Sequence, residues 1–99
     1  MLYAIIANDI PDSVAKRGET RESHVAYLKE LVDQGRVVLA GPHPSIDSPD
    51  PGPAGMSGSL IVVEFASLEE AQDWVANDPY LVGGVFDNVI VKPFIQTVP

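Results

Sequence analysis

Two side chains in this sequence stand where a plain core would take leucine. In TRESHVAYLKELVDQG (Thr20–Gly35) the apolar residues Val25, Leu28, Leu31 and Val32 recur at helical spacing. His24 falls close to Leu28 and Leu31 on that stripe, and Arg21 precedes it by one turn at nearly the same azimuth. Imidazole, titrating near ~6.5 in water, is the natural proton carrier at neutral pH. A guanidinium beside it can grip a carboxylate or another anion in a forked contact. The helix dipole disfavours a cation in the first turn by about a few tenths of a kcal/mol, so Arg21 hints at an external charge partner. The plain alternative is a half-exposed histidine bonded to a carbonyl and an arginine on the surface.

Asp78, in DPY, is the third candidate. Aspartate followed by proline is a good N-cap with proline at the first helical position. It is equally a carboxylate able to orient an imidazole and stabilise its protonated form. Spacing alone leaves both open. Ser57, Gly58 and Ser59 enter a strand after a long loop. Small residues there let a ligand approach backbone N–H groups, and the hydroxyls can donate; ordinary turn chemistry is the alternative. His43, with Asp47 and Asp50 nearby, lacks the HxH or HExxH spacing of a metal site, so neither metal nor cofactor is expected. Trp74 and Tyr80 read as core and boundary aromatics. The chain has no Walker motif, no GxGxxG and no GxSxG.

These residues need a scaffold. LYAIIAN (Leu2–Asn8) is an apolar run of strand formers. DIPDSVAKRGE carries Pro11 and Gly18 and reads as a mobile turn with at most one helical turn. Thr20 is a plausible N-cap for a helix over 21–34, closed by Gly35. RVVLAGP (36–42) predicts a second strand. His43–Gly58 is rich in proline and glycine and reads as a long loop. SLIVVEF (59–65) predicts a third strand. Ser67 and Glu70 form a capping box for a helix ending near Asn77. YLVGG is a connector, and VFDNVIVKPF (85–94) predicts a fourth strand ending around Pro93.

The order β-α-β-β-α-β is that of the ferredoxin-like plait, an α+β fold with two helices on one face of an antiparallel sheet. The strands carry apolar residues at both parities, so the uncovered face is expected to keep residues such as Ile5, Val63 and Val89 or their neighbours. An apolar face left open in so small a domain implies a partner, most simply a homodimer packed sheet to sheet.

Ninety-nine residues suit a single domain, 1–99, with one two-layer core. Fourteen acidic against six basic side chains give a net charge of −8, which argues against nucleic acid and anionic membranes as partners. There is no cysteine, so disulfides, thiolate nucleophiles and cysteine-bound zinc are excluded. MLYAIIAND lacks the basic start and the length of a signal sequence, and no apolar run approaches the ~20 residues of a membrane span. Cytoplasm is the expected location.

Taken in order, MLYAIIANDIPDS with KR, R-x-x-H at Arg21 and His24, AGP at Ala40–Pro42, DPGPAGMSGS at Asp50–Ser59, SLEEA, DPY and VKPF resemble the YciI family of small bacterial proteins over nearly the whole chain. The resemblance implies a dimeric α+β barrel and a site centred on a histidine and an aspartate, here His24 and Asp78. Gly41 and Pro42 of the AGP motif join Arg21, Ser57, Gly58 and Ser59 as the expected substrate-binding set. The reaction is not implied. A lyase-type proton abstraction on a small aromatic or carbonyl-bearing molecule is the leading expectation, because it needs neither cysteine nor metal. A metabolite-binding or accessory module without catalysis, or phosphoryl transfer through His24, are the alternatives.

Overall fold

The computed structural model describes all 99 residues. The elements run β1 (Leu2–Asp9), α1 (Val14–Asp33), β2 (Val37–Pro44), a 3-10 turn (Gly52–Ala54), β3 (Met56–Glu64), α2 (Leu68–Ala76), α3 (Pro79–Val82) and β4 (Phe86–Phe94). All strand pairs are antiparallel, in the order β2-β3-β1-β4. This is the expected ferredoxin-like α+β plait. No helix is long and apolar enough to cross a membrane.

Strand alternation decides what the helices cover. Ile5 pairs with Ile61 and Val91, and Tyr3 with Val63, so these side chains share one face. Against them pack Leu31 of α1 and Ala71 and Val75 of α2. A second, smaller cluster joins Ala7 to Tyr80, Val85 and Phe86. Ile5 and Val63 are fully buried, and Val89 packs against both clusters. Those three residues therefore belong to the helix face. The open face is made by their neighbours: Leu2, Ala4 and Ile6 of β1, Leu60 and Val62 of β3, Leu39 of β2, and Ile90 and Phe94 of β4.

Four elements differ from expectation. Helix α1 begins at Val14, so 14–19 is helix and Thr20 lies inside it rather than capping it. The chain enters the helix through Asp12, held at φ 56°, and N-cap Ser13. The Ser13 hydroxyl does not cap; it donates to Asp9 Oδ2 at 2.6 Å. Strands β2 and β3 extend further than expected and shorten the loop to 45–55. YLVGG is not a plain connector: its first residues belong to the short helix α3, with Asp78 as N-cap and Pro79 at its first position. Half of the box at Ser67 forms: its hydroxyl accepts the Glu70 N–H at 3.1 Å, while the Glu70 carboxylate lies 3.5 Å from Arg36 instead.

Candidate active site

One stripe of α1 explains the misplaced polar residues. Arg17, Arg21, His24, Leu28 and Leu31 follow one another at intervals of four and three, and so lie on one side of the helix. Its C-terminal part is core: Leu31 is buried and Leu28 packs against it. Its N-terminal part overhangs the edge strand β2, whose Ala40, Gly41 and Pro42 remain exposed. Between helix and strand lies a cleft of about 210 Å³. Arg17, Arg21, His24 and Tyr80 form one wall; Gly41, Pro42 and Ser59 face them. Leu28 and Ile61 supply apolar lining.

His24 and Asp78 meet. Nδ1 of His24 lies 2.8 Å from Asp78 Oδ1, and both side chains are buried. With the carboxylate ionised the proton sits on Nδ1, which leaves the lone pair on Nε2. The same Oδ1 accepts the Tyr80 N–H at 2.9 Å. The cap and the imidazole contact are therefore one atom's work, and the two readings of DPY hold together. Oδ2 is buried without a partner. The imidazole is stacked on the Tyr80 ring, centroids 3.8 Å apart and planes 10° off parallel, and Phe86 meets it edge-on at 6.4 Å. Hydrogen bond and stack together fix the ring's plane.

The two arginines differ. Arg17 is committed: it forks onto Asp9 through Nε and Nη2, the latter at 3.0 Å, and Nη2 also donates to the Gly58 carbonyl and the Ser59 hydroxyl, each at 2.9 Å. Its guanidinium stands 5.0 Å from the centre of the Tyr80 ring. Arg21 has no hydrogen-bond or ion-pair partner in the chain. No carboxylate lines the cleft. In a chain of net charge −8 this hollow presents an unpaired cation. Burial raises the Tyr80 phenol above its ordinary value, opposed in part by the positive charges of Arg17 and Arg21. The phenol therefore stays neutral at physiological pH.

Of the residues singled out in the sequence, Arg21, His24, Gly41, Pro42 and Ser59 line the cleft, and Asp78 stands behind His24. Ser59 lies between β1 and β2, its backbone within paired strands, so it offers the cleft its hydroxyl. Gly58 is behind the wall, where a Cβ would collide with the Ala7 carbonyl at 2.2 Å. Ser57 points elsewhere, its hydroxyl donating to the His43 carbonyl at 3.4 Å. Sequence reasoning missed Arg17 and the stacking role of Tyr80. The signal for Arg17 was the stripe itself, carried back seven residues from His24. Pro11 and Gly18 hid it by suggesting a turn. No group of three or more potential ligand side chains is gathered where a metal would sit.

The YCII-related domain matches residues 1–95. Protein YciI of Escherichia coli O6:H1 is 52% identical over 94 residues, covering 95% of this chain and 96% of that protein. Fusaric acid biosynthesis protein 2 of Gibberella fujikuroi is 28% identical over 85 residues, covering 86% and 82%. Among solved structures, the 5-chloro-2-hydroxyhydroquinone dehydrochlorinase TftG from Burkholderia phenoliruptrix AC1100, in complex with 2,5-dihydroxybenzoquinone, superposes with a TM-score of 0.85 at 29% identity, covering 97% of this chain and 95% of that one. A family match over residues 1–95, with a relative 52% identical over 95% of the chain, makes the chain a member of the YCII-related domain family.

Proposed function

We propose that this cleft is the active site of an enzyme that acts on a small, anionic, aromatic or carbonyl-bearing molecule by proton transfer through His24. The observation that carries the reading is the pairing of His24 Nδ1 with buried Asp78 beside an unpaired Arg21. Asp78 holds the ring in the tautomer that keeps Nε2 free to take a proton. Arg21 and the Ser59 hydroxyl receive the oxyanion that develops as the proton leaves. Gly41 and Pro42 form the opposing wall. In an elimination, Nε2 takes one proton and the freed electron pair expels an anionic leaving group. The imidazolium then returns its proton to solvent. The activity of TftG, a dehydrochlorinase, supports this reaction class.

The test is a panel of chlorinated hydroxyquinols and β-substituted carbonyl acids, read by halide release and ultraviolet absorbance. A substrate found this way loses turnover in His24→Gln by about 10²–10⁴-fold while the fold is kept. Retained turnover takes His24 out of the mechanism. Binding of 2,5-dihydroxybenzoquinone that survives Asp78→Asn, with no product from any compound, favours a binding module over an enzyme.

A further inference from the structure

A second hollow of about 210 Å³ adjoins the first along α1. Arg17, Arg21, Pro42 and Tyr80 line both, so the two hollows meet at these residues. Beyond the junction the second hollow is walled by Val14, Gly18, Gly55 and Met56. From Val14 to Leu28 the groove follows a length of helix of about 20 Å at 1.5 Å per residue. Arg21 stands at its midpoint, with His24 on one side and an apolar compartment on the other.

Gly18 has no packing reason to be glycine. It lies inside a 20-residue helix, where glycine is the poorest former after proline, and a Cβ there would meet nothing within 4 Å. It shares a face with Val14 and Arg21, and its bare backbone keeps the second compartment open. Gly55 acts differently: at φ 67° it lets the loop approach so closely that a Cβ would strike the Val14 side chain at 2.4 Å.

We infer that the groove takes a two-part ligand: an anionic ring or carbonyl group held between Arg21 and His24, and an uncharged apolar substituent lodged against Val14, Gly18 and Met56. The inference rests on the reading of the first compartment as the reactive one and adds the shape of its substrate. A ring-sized molecule fills one hollow only. The tail compartment has apolar walls, and the one free cation lies at its inner end, so charge belongs at the junction and carbon beyond it.

Calorimetry with two probes tests this: 2,5-dihydroxybenzoquinone, whose acidic enols are ionised at neutral pH, and its 3-butyl homologue. The homologue binds at least about ten-fold more tightly, since each buried methylene favours binding. In nuclear magnetic resonance the amide signals of Gly18 and Gly55 shift with the homologue and not with the parent. Gly18→Leu, which fills the compartment and suits the helix, abolishes the gain. Equal affinities, or a gain with shifts only elsewhere, overturn the inference while leaving the first compartment's reading intact. Failure of the parent quinone itself to bind sinks the anionic-ring reading and this inference with it.

Discussion

At the scale of single residues, Asp78 is the hinge of the site because one oxygen serves both a helix and an imidazole. Asparagine caps helices as well as aspartate does. Asp78→Asn is therefore expected to keep the fold, with an unchanged circular dichroism spectrum, while turnover of any substrate found falls by about 10² or more because the tautomer is no longer enforced. Asp78→Ala removes the cap as well and lowers the urea midpoint besides. An Asn variant with full turnover would reduce the carboxylate to a helix cap. His24 and Asp78 were legible in the sequence, the first as a polar residue on an apolar stripe, the second as Asp-Pro. Their meeting was legible only through the family resemblance, since the two stand 54 positions apart and tertiary packing alone joins them.

The same scale sets an alkaline limit. Tyr80 and Tyr27 both hold their protons above the ordinary tyrosine value of 10.0, chiefly because burial disfavours the phenolate. Nearby Asp78 and Glu30 add to the effect for Tyr27. A folded-state value raised above the unfolded one contributes stability that is complete below the unfolded value and lost as pH climbs through the folded one. Stability to urea should thus be insensitive to these two groups at neutral pH and decline above about 10. Tyrosinate absorbance should show two phenols titrating late, and early ionisation of both would contradict the packing of Tyr80 on His24.

At the scale of elements, the clamp made by Arg17 joins α1 to β1 and β3. Asp9 Oδ2 also receives the Ser13 hydroxyl, so the first turn of α1 is tied to the end of β1. The Asp9 side chain is 1% exposed, against 12% for Arg17. Arg17→Met strands a buried carboxylate, with an expected loss of about 3–5 kcal/mol in urea unfolding. Adding Asp9→Asn should restore much of it, because the double variant removes the uncompensated charge. A small loss in the single variant would mean that water reaches Asp9 readily. The start of α1 was illegible for a local reason. Ser13 is of capping type, but the first turn carries no acidic residue, Pro11 and Gly18 suggested a turn, and Thr20 offered a rival cap nearer the apolar stripe. At Ser67, where a capping residue stands directly before the apolar stripe and Glu69 and Glu70 fill the first turn, the element could be read.

At the scale of the whole molecule, the sheet's second face decides what else the fold needs. The sequence showed apolar residues at both parities but not which parity the helices would take; that choice follows from how α1 and α2 pack, and it put Ile5 and Val63 inside. The face left over carries Ala4, Ile6, Leu60 and Val62 at its centre, with Leu39, Ile90 and Phe94 around them, the last three 47%, 48% and 39% exposed. We propose that a second copy covers it, packed sheet to sheet. A stable interface needs about 800 Å² from each partner. Each chain brings a charge of −8, so repulsion opposes the pairing and added salt should strengthen it. Ile90 discriminates because it is half exposed in the single chain: Ile90→Glu should cost the isolated fold little, yet bury an unpaired carboxylate in the pair. Sedimentation equilibrium should give twice the chain's mass for the natural protein and the single mass for the variant, with the variant's thermal unfolding becoming independent of concentration. A natural protein that sediments as one chain, at high salt as well as low, would leave the apolar face to some other occupant and remove the second copy from the account.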